Sequence, residues 1–224
     1  MTTQPPRNTL TSGWSNRLRW RVCILAAFVL VSIGNLSATT IRGMDIDRVA
    51  RDAELIFEGE VIQHDSQINS GTGIIDTYVT FAVTDVLKGD YSSEQLELKF
   101  TGGTHEGQSV QVSGLKIPAV GEQGIYFVES VTRSLINPLL GWSQGHFIIS
   151  ELDGERTVNT ANEEPVIEVM PVSDIPATIK KPLGLIEGNA DSAAGVLTDT
   201  SALRVQRPMS VEEFKTRIRE LIEN

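Results

Sequence analysis

Segments in which apolar and polar residues alternate follow one another along the middle of the chain, with no helical pattern between them. The clearest covers residues 75–83, and similar patterns surround Phe57 and Phe100. A period of two residues places alternate side chains on opposite faces of a strand. Because the strand patterns succeed one another directly, the sequence favours an antiparallel, mainly β fold over a parallel sheet with crossover helices.

Glycine-containing turns divide these patterns into five or six short strands, which predicts a small closed barrel or a sandwich at about 53–150. Phe57, Phe81 and Phe100 lie on the apolar faces of three strands, so we expect them to share one interior. The polar residues 64–73 are predicted as a loop. The predicted strands are 55–63, 75–83, 96–100, 110–112, 124–129 and 145–149.

Two helices flank the predicted strands. Residues 44–54 place apolar side chains on one side, which predicts a short N-terminal helix. At the other end, Ser210 and Glu213 form a capping box that opens an amphipathic C-terminal helix at 209–224. We expect this helix to dock on its own domain, the alternative being that it binds a partner. Residues 161–208 contain several prolines and little periodicity, which predicts extended segments and loop.

The first 38 residues have the pattern of a secretory signal peptide. They contain four arginines and no acidic residue, and the apolar run 22–33 follows directly after the last arginine. Small residues end the run, so we expect cleavage after Ala38 and an exported protein, in the periplasm or outside the cell. The alternative is an uncleaved membrane anchor, although a spanning helix needs about 20 predominantly apolar residues. After cleavage we expect no membrane span.

The chain is acidic, with 29 Asp and Glu against 19 Lys and Arg and a formal net charge of −10. Cleavage would remove four arginines and lower the net charge to −14. A duplex nucleic acid needs a basic surface, so we expect no nucleic-acid partner. Cys23 is the only cysteine and lies in the leader, which excludes a disulfide scaffold and a cysteine-rich metal site.

No arrangement of a catalytic nucleophile and its base is recognisable in the sequence. There is no Gly-x-Ser-x-Gly motif, and the chain after Ala38 lacks a cysteine. His64, His105 and His146 do not have metal-binding spacing, so they are predicted as solvated or edge residues. We therefore expect a protein that is not an enzyme and that needs no cofactor or metal.

Several short motifs occur together between residues 44 and 158. They are 53–61, 86–89, the glycine-rich stretch 102–127 and the segment 141–147. As a set they resemble a family of uncharacterised bacterial exported proteins. That family is similar to the tissue inhibitors of metalloproteinases and to netrin-type modules. The resemblance implies a small OB-like, closed or partly open β-barrel domain at 44–160, with a short N-terminal helix and an amphipathic C-terminal helix.

The animal inhibitors bind a protease zinc through an amino-terminal cysteine that disulfides hold in place. That mechanism does not carry over, because no cysteine follows Ala38. We expect a non-catalytic binding or structural module of the bacterial cell envelope, whose partner is an exported protein such as a protease. The alternatives are a protease inhibitor or protease-associated module, which would present barrel loops or a new amino terminus at Thr39, and a cryptic hydrolase.

Two loops contain the candidate protein-binding residues. The apolar segment 137–142 would form a binding patch if exposed, and would plug the end of the barrel if buried. The glycine pair at 102–103 could hold an anion, but no helix begins there, which favours a strand end that needs positive φ or close backbone approach. The candidate binding residues are Trp142, Leu139, Leu140, Gly102, Gly103 and Thr104.

Overall fold

Twelve strands and two α-helices make up the regular structure of the described part of the chain. The computed structural model describes residues 40–174, 185–187, 192–198 and 207–223, and the predicted signal peptide at 1–38 lies outside them. The strands are β1 (Thr40–Arg42), β2 (Leu55–Ile68), β3 (Ile75–Lys88), β4 (Gln95–Thr101), β5 (Gly103–His105), β6 (Gln108–Val110), β7 (Gln123–Val128), β8 (His146–Leu152), β9 (Glu155–Thr160), β10 (Val166–Val169), β11 (Leu185–Glu187) and β12 (Val196–Thr198). The helices are α1 (Ile46–Asp52) and α2 (Val211–Glu223).

Six strands form one antiparallel sheet in the order β4-β3-β2-β7-β8-β9. Its largest unit is the hairpin of β2 and β3, which have 14 residues each. The other strands form two-stranded sheets, β1 with β11, β5 with β6 and β10 with β12. Within the described residues β4 and β9 do not pair with each other, so the sheet is open. The mainly β fold with two helices is confirmed.

The long hairpin extends beyond the pattern that predicted it. β2 continues to Ile68, so the predicted loop at 64–73 is shortened to the residues that join β2 to β3. Most side chains from Gln63 to Ile68 are exposed, and they therefore carry no apolar alternation. Pairing with β3 supplies the backbone hydrogen bonds that define the strand. The segment 161–208, predicted as extended or loop, likewise contains β10, β11 and β12.

One face of the sheet covers a phenylalanine cluster. Phe57, Phe81 and Phe100 pack there with Tyr126, and all four side chains are fully buried. The ring centroids of Phe57 and Phe81 lie 5.3 Å apart, and those of Phe81 and Tyr126 lie 4.8 Å apart. The prediction that the three phenylalanines share one interior is confirmed.

Both helices pack on the other face of the sheet. Ile46 of α1 and Phe214 of α2 are fully buried in a second cluster, where the ring centroids of Phe214 and Phe147 are 4.8 Å apart. The capping box forms as predicted, since the N–H of Ser210 donates to Oε2 of Glu213 at 2.9 Å. The C-terminal helix therefore docks on its own domain. None of the helices in the described ranges is long and apolar enough to cross a bilayer.

The connection that follows β7 lies between two strands of the sheet. The N–H of Thr101, at the end of β4, donates to the carbonyl of Ile136 at 2.8 Å. The N–H of Leu140 donates to the carbonyl of Phe127 in β7, also at 2.8 Å. The segment 136–140 is therefore bound to β4 at one end and to β7 at the other.

Candidate functional site

Leu139 and Leu140 lie inside the protein. Leu139 is 1% exposed in the phenylalanine cluster, and Leu140 is 9% exposed in the cluster beneath the helices. Their backbone is also fixed, because Oδ1 of the buried Asn137 accepts a hydrogen bond from the N–H of Leu139 at 2.9 Å. Buried side chains cannot form a contact surface. Both leucines are therefore core residues and leave the candidate binding set.

Trp142, by contrast, is only half-buried. Its backbone is left-handed, with a φ of 60°, and Gly141 before it has a φ of 64°. A bulky residue seldom adopts this conformation, because its Cβ crowds the neighbouring carbonyl oxygen. Such backbone strain persists only where the surrounding structure enforces it, and it is concentrated at functional sites.

Gln144 holds the turn at Gly141, directly before Trp142. Its side chain is fully buried, and its Oε1 accepts a hydrogen bond from the N–H of Met44 at 2.7 Å. Its Nε2 donates to the carbonyls of Arg42 and Gly141, both at 3.1 Å. The turn is thereby tied to the segment that precedes α1. No local sequence pattern marks Gln144 as a structural residue, although the motif at 141–147 contains it.

The glycine pair approaches neighbouring atoms closely. Gly102 has a φ of 111° and Gly103 a φ of 125°. A Cβ on Gly103 would lie 2.1 Å from Oγ1 of Thr77, and one on Gly102 would lie 2.9 Å from the carbonyl oxygen of Val110. The Thr77 hydroxyl also donates to the carbonyl of Gly102 at 2.7 Å. The prediction of a strand end with positive φ and close backbone approach is confirmed.

A cleft of about 440 Å³ opens beside the glycine pair. Thr104 is exposed there, and its hydroxyl donates to Oγ of Ser109 at 3.4 Å. None of the described residues that line the cleft carries a charge, so its surface is neutral and polar. Trp142 does not line it, and the two candidate features are therefore separate. The lining residues are Thr101, Gly102, Gly103, Thr104, Ser109, Val110, Gln111, Val112, Ser113, Gly114, Leu115 and Ile117.

A third group of polar side chains is buried around the start of β8. Nε2 of His146 lies 2.6 Å from Oε1 of Glu122, and the hydroxyl of Tyr126 donates to the same oxygen at 3.2 Å. His146 is only 1% exposed, so the prediction of a solvated or edge histidine is wrong for this residue. Its partner lies 24 residues earlier in the chain, and no local sequence pattern indicates the pair.

The protonation states of this buried group follow from its contacts. Burial raises the pKa of the Glu122 carboxyl, but the hydrogen bond and charge of His146 outweigh burial and hold the pKa below its usual value. Burial and the adjacent Glu122 carboxylate both raise the pKa of the Tyr126 hydroxyl. An ionised carboxylate therefore faces two donors. The group stabilises the structure and exposes no activated nucleophile.

Two histidines hold the loop 118–122. His64 donates from Nε2 to the carbonyl of Pro118 at 2.7 Å, and His146 binds the carboxylate of Glu122 at the other end. The exposed side chain of Val120 projects from the middle of this loop. The described residues contain no group of three His, Cys, Asp or Glu side chains that could hold a metal ion.

The chain was compared with known proteins at the levels of family, sequence and structure. No protein-family model, curated protein or solved structure matches it. The resemblance to bacterial exported proteins, and through them to metalloproteinase inhibitors, therefore stays a prediction.

Proposed function

We propose that the protein is a non-catalytic, exported binding module and that Trp142 is the centre of its contact with a protein partner. The supporting observation is the half-buried Trp142 on a turn with left-handed backbone, where the buried Gln144 binds the preceding Gly141. Tryptophan carries interface energy more often than most residues, because its large ring buries much area. A turn whose backbone is already fixed loses little conformational freedom on binding.

The neutral cleft beside Gly102, Gly103 and Thr104 supports the same role. Its hydroxyl groups and backbone offer hydrogen bonds without charge, which suits a polar, uncharged stretch of a partner. Loops between strands are also the usual binding regions of small barrels. The proposed partner is an exported protein such as a protease.

An OB-like, partly open barrel is the proposed finer architecture of residues 44–160. The segment 136–140 supports it, because this segment is hydrogen-bonded to the end of β4 and to β7. Leu139 extends from the segment into the phenylalanine cluster. In this arrangement the segment occupies the place of a closing strand, and both helices lie outside the barrel.

Export is proposed from the leader pattern at 1–38, in which a basic region precedes an apolar run and small residues. The fold is compatible with export, because hydrophobic clusters stabilise the described residues. Such a chain does not depend on disulfide formation after export.

Photocrosslinking tests the role of Trp142. A photoreactive phenylalanine analogue at position 142 of the full chain, expressed in the producing cell, should capture the partner for mass spectrometry. The same analogue at Ile136 is the matched control, because Ile136 is 55% exposed on the same connection. Purified Trp142→Ala should then bind the captured partner at least tenfold more weakly and melt at an unchanged temperature. Equal capture from both positions, or loss of folding in Trp142→Ala, would overturn the proposal.

A further inference from the structure

A groove of about 650 Å³ follows β8 and β9 on the face of the sheet opposite the helices. Ile148, Ser150 and Asn159 line it. The alternate residues Phe147 and Ile149 point the other way and belong to the cluster beneath the helices. The groove is therefore a part of the sheet face that neither helix covers.

The charged side chains of the groove are mostly acidic. Glu122, Glu151 and Glu163 line it together with Lys116. The Lys116 ammonium donates to the carbonyl of Ala161. Glu122 is bound by His146, whereas Glu151 and Glu163 are exposed. Two carboxylates are thus open to solvent at the groove.

Apolar side chains also line the groove. Two belong to β8, two belong to the loop 118–122, and two are prolines, of which one follows β9 and the other precedes α2. The hydrogen bonds of His64 with Pro118 and of His146 with Glu122 hold the part of this apolar lining that the loop forms. The apolar residues are Ile148, Leu152, Ala119, Val120, Pro165 and Pro208.

We propose that this groove binds an extended, basic segment of a partner protein. Lysine and arginine side chains have apolar stems that pack on surfaces such as Ile148 and Leu152, while their charged ends reach Glu151 and Glu163. The strand β8 has seven residues, so it matches an extended segment of about seven residues, or about 23 Å. A second copy of this chain does not fit, because its net charge of −10 would be repelled.

Peptide binding to the full chain tests the proposal. The probe is a fluorescent heptapeptide in which lysine alternates with alanine, and the reference peptide has glutamine in place of lysine. Anisotropy titrations should show at least tenfold tighter binding of the lysine peptide, with a loss of affinity between 50 and 500 mM salt as charges are screened. Trp142→Ala should bind the peptide normally, which separates this surface from the proposed function.

Matched variants locate the binding surface. Glu151→Gln with Glu163→Gln should weaken binding of the lysine peptide at least tenfold. Glu97→Gln with Glu106→Gln removes the same charge from exposed positions outside the groove and should weaken it less than twofold. Equal weakening by both pairs, equal binding of both peptides, or no binding would overturn the proposal. The proposal would also be overturned if the lysine peptide bound only after Lys180→Gln and Lys181→Gln. In that case a basic segment of the chain itself would occupy the groove of the unmodified protein.

Discussion

Nζ of Lys215 lies 3.0 Å from Oε2 of Glu58, and both side chains are only 8% exposed. The pair joins the C-terminal helix to β2 across 157 residues of sequence. Lys215 also contacts Asp85 of β3 at 2.7 Å, and Arg156 of β9 binds the other oxygen of Glu58. A single buried carboxylate thus connects three elements of the fold.

Removing Lys215 should destabilise the protein strongly. Lys215→Met removes one of the two cations that bind the buried Glu58, and breaking a buried pair costs about 3–5 kcal/mol. Because Arg156 still binds Glu58, we expect the free energy of unfolding to fall by about 3 kcal/mol, the lower end of this range. Urea titration measures the change. The control is Arg217→Met, which removes an exposed pair with Glu220 and should cost less than about 1 kcal/mol. Equal losses in the two variants would contradict the prediction.

Acid should destabilise the protein through Glu58 and Glu122. Burial raises the pKa of each carboxyl, but the contacts with Arg156 and Lys215 for Glu58, and with His146 for Glu122, lower both below the usual value. The unfolded chain then binds more protons, so this stabilisation is present above about pH 4.3 and is lost as the pH falls through the lower folded values.

Unfolding titrations between pH 6 and pH 3 measure this loss. In Glu122→Gln the carboxyl is replaced by an amide that does not ionise. The free energy of unfolding of this variant should therefore fall less over the range than that of the unmodified protein. Glu97→Gln, an exposed change in β4, should follow the unmodified profile. An unchanged slope in Glu122→Gln would show that this carboxyl does not contribute.

Phe81 should be a principal residue of the phenylalanine cluster. Phe81→Ala removes a fully buried ring that contacts Phe57 and Tyr126, and should lower the free energy of unfolding by about 3–5 kcal/mol. Ile62→Ala serves as the control, because Ile62 is exposed and should change it by less than about 0.5 kcal/mol. A loss below about 1 kcal/mol in Phe81→Ala would mean that the cluster repacks around the cavity.

The parts of the fold that the sequence predicted are those in which one face of an element is apolar. Alternation identified the interior of β2, β3 and β4, and the capping box identified α2. The strand β9 was not predicted, because Glu155–Thr160 is mostly polar and lies at the edge of the sheet. Its backbone hydrogen bonds with β8 define the strand. Because almost every residue type can form such bonds, the side-chain pattern does not indicate them.

The candidate site depended on information that is not local in sequence. The sequence left the segment 137–142 open between a patch and a plug. The structure resolves this choice, because the left-handed backbone at Gly141 separates the buried Leu139 and Leu140 from the half-buried Trp142. The groove, likewise, depends on His146 and Glu122, which meet only after the sheet has formed.

Gly103 should tolerate a side chain less well than Gly107. Both have positive φ, but a Cβ on Gly103 would meet Thr77 whereas one on Gly107 would meet nothing within 4 Å. Gly107→Ala should cost about 1–2 kcal/mol from backbone strain. Gly103→Ala should cost about 2–4 kcal/mol, because overpacking adds to that strain. Both are measured by urea unfolding, and equal costs would show that the contact with Thr77 relaxes freely.

The leader should direct export of the full chain. Expression in a bacterial host should yield an exported protein that begins at Thr39, since the apolar run 22–33 and the small residues before Thr39 have the signal-peptide pattern. Intact-mass analysis of the periplasmic fraction and the medium measures this. Val29→Asp with Leu30→Asp interrupts the apolar run and should leave an uncleaved chain in the cytoplasm, whereas Thr9→Asp, outside the run, should leave cleavage unchanged. Exported protein that retains Met1, or a membrane-bound uncleaved chain, would establish the anchor instead, because the apolar segment would then remain attached to the domain.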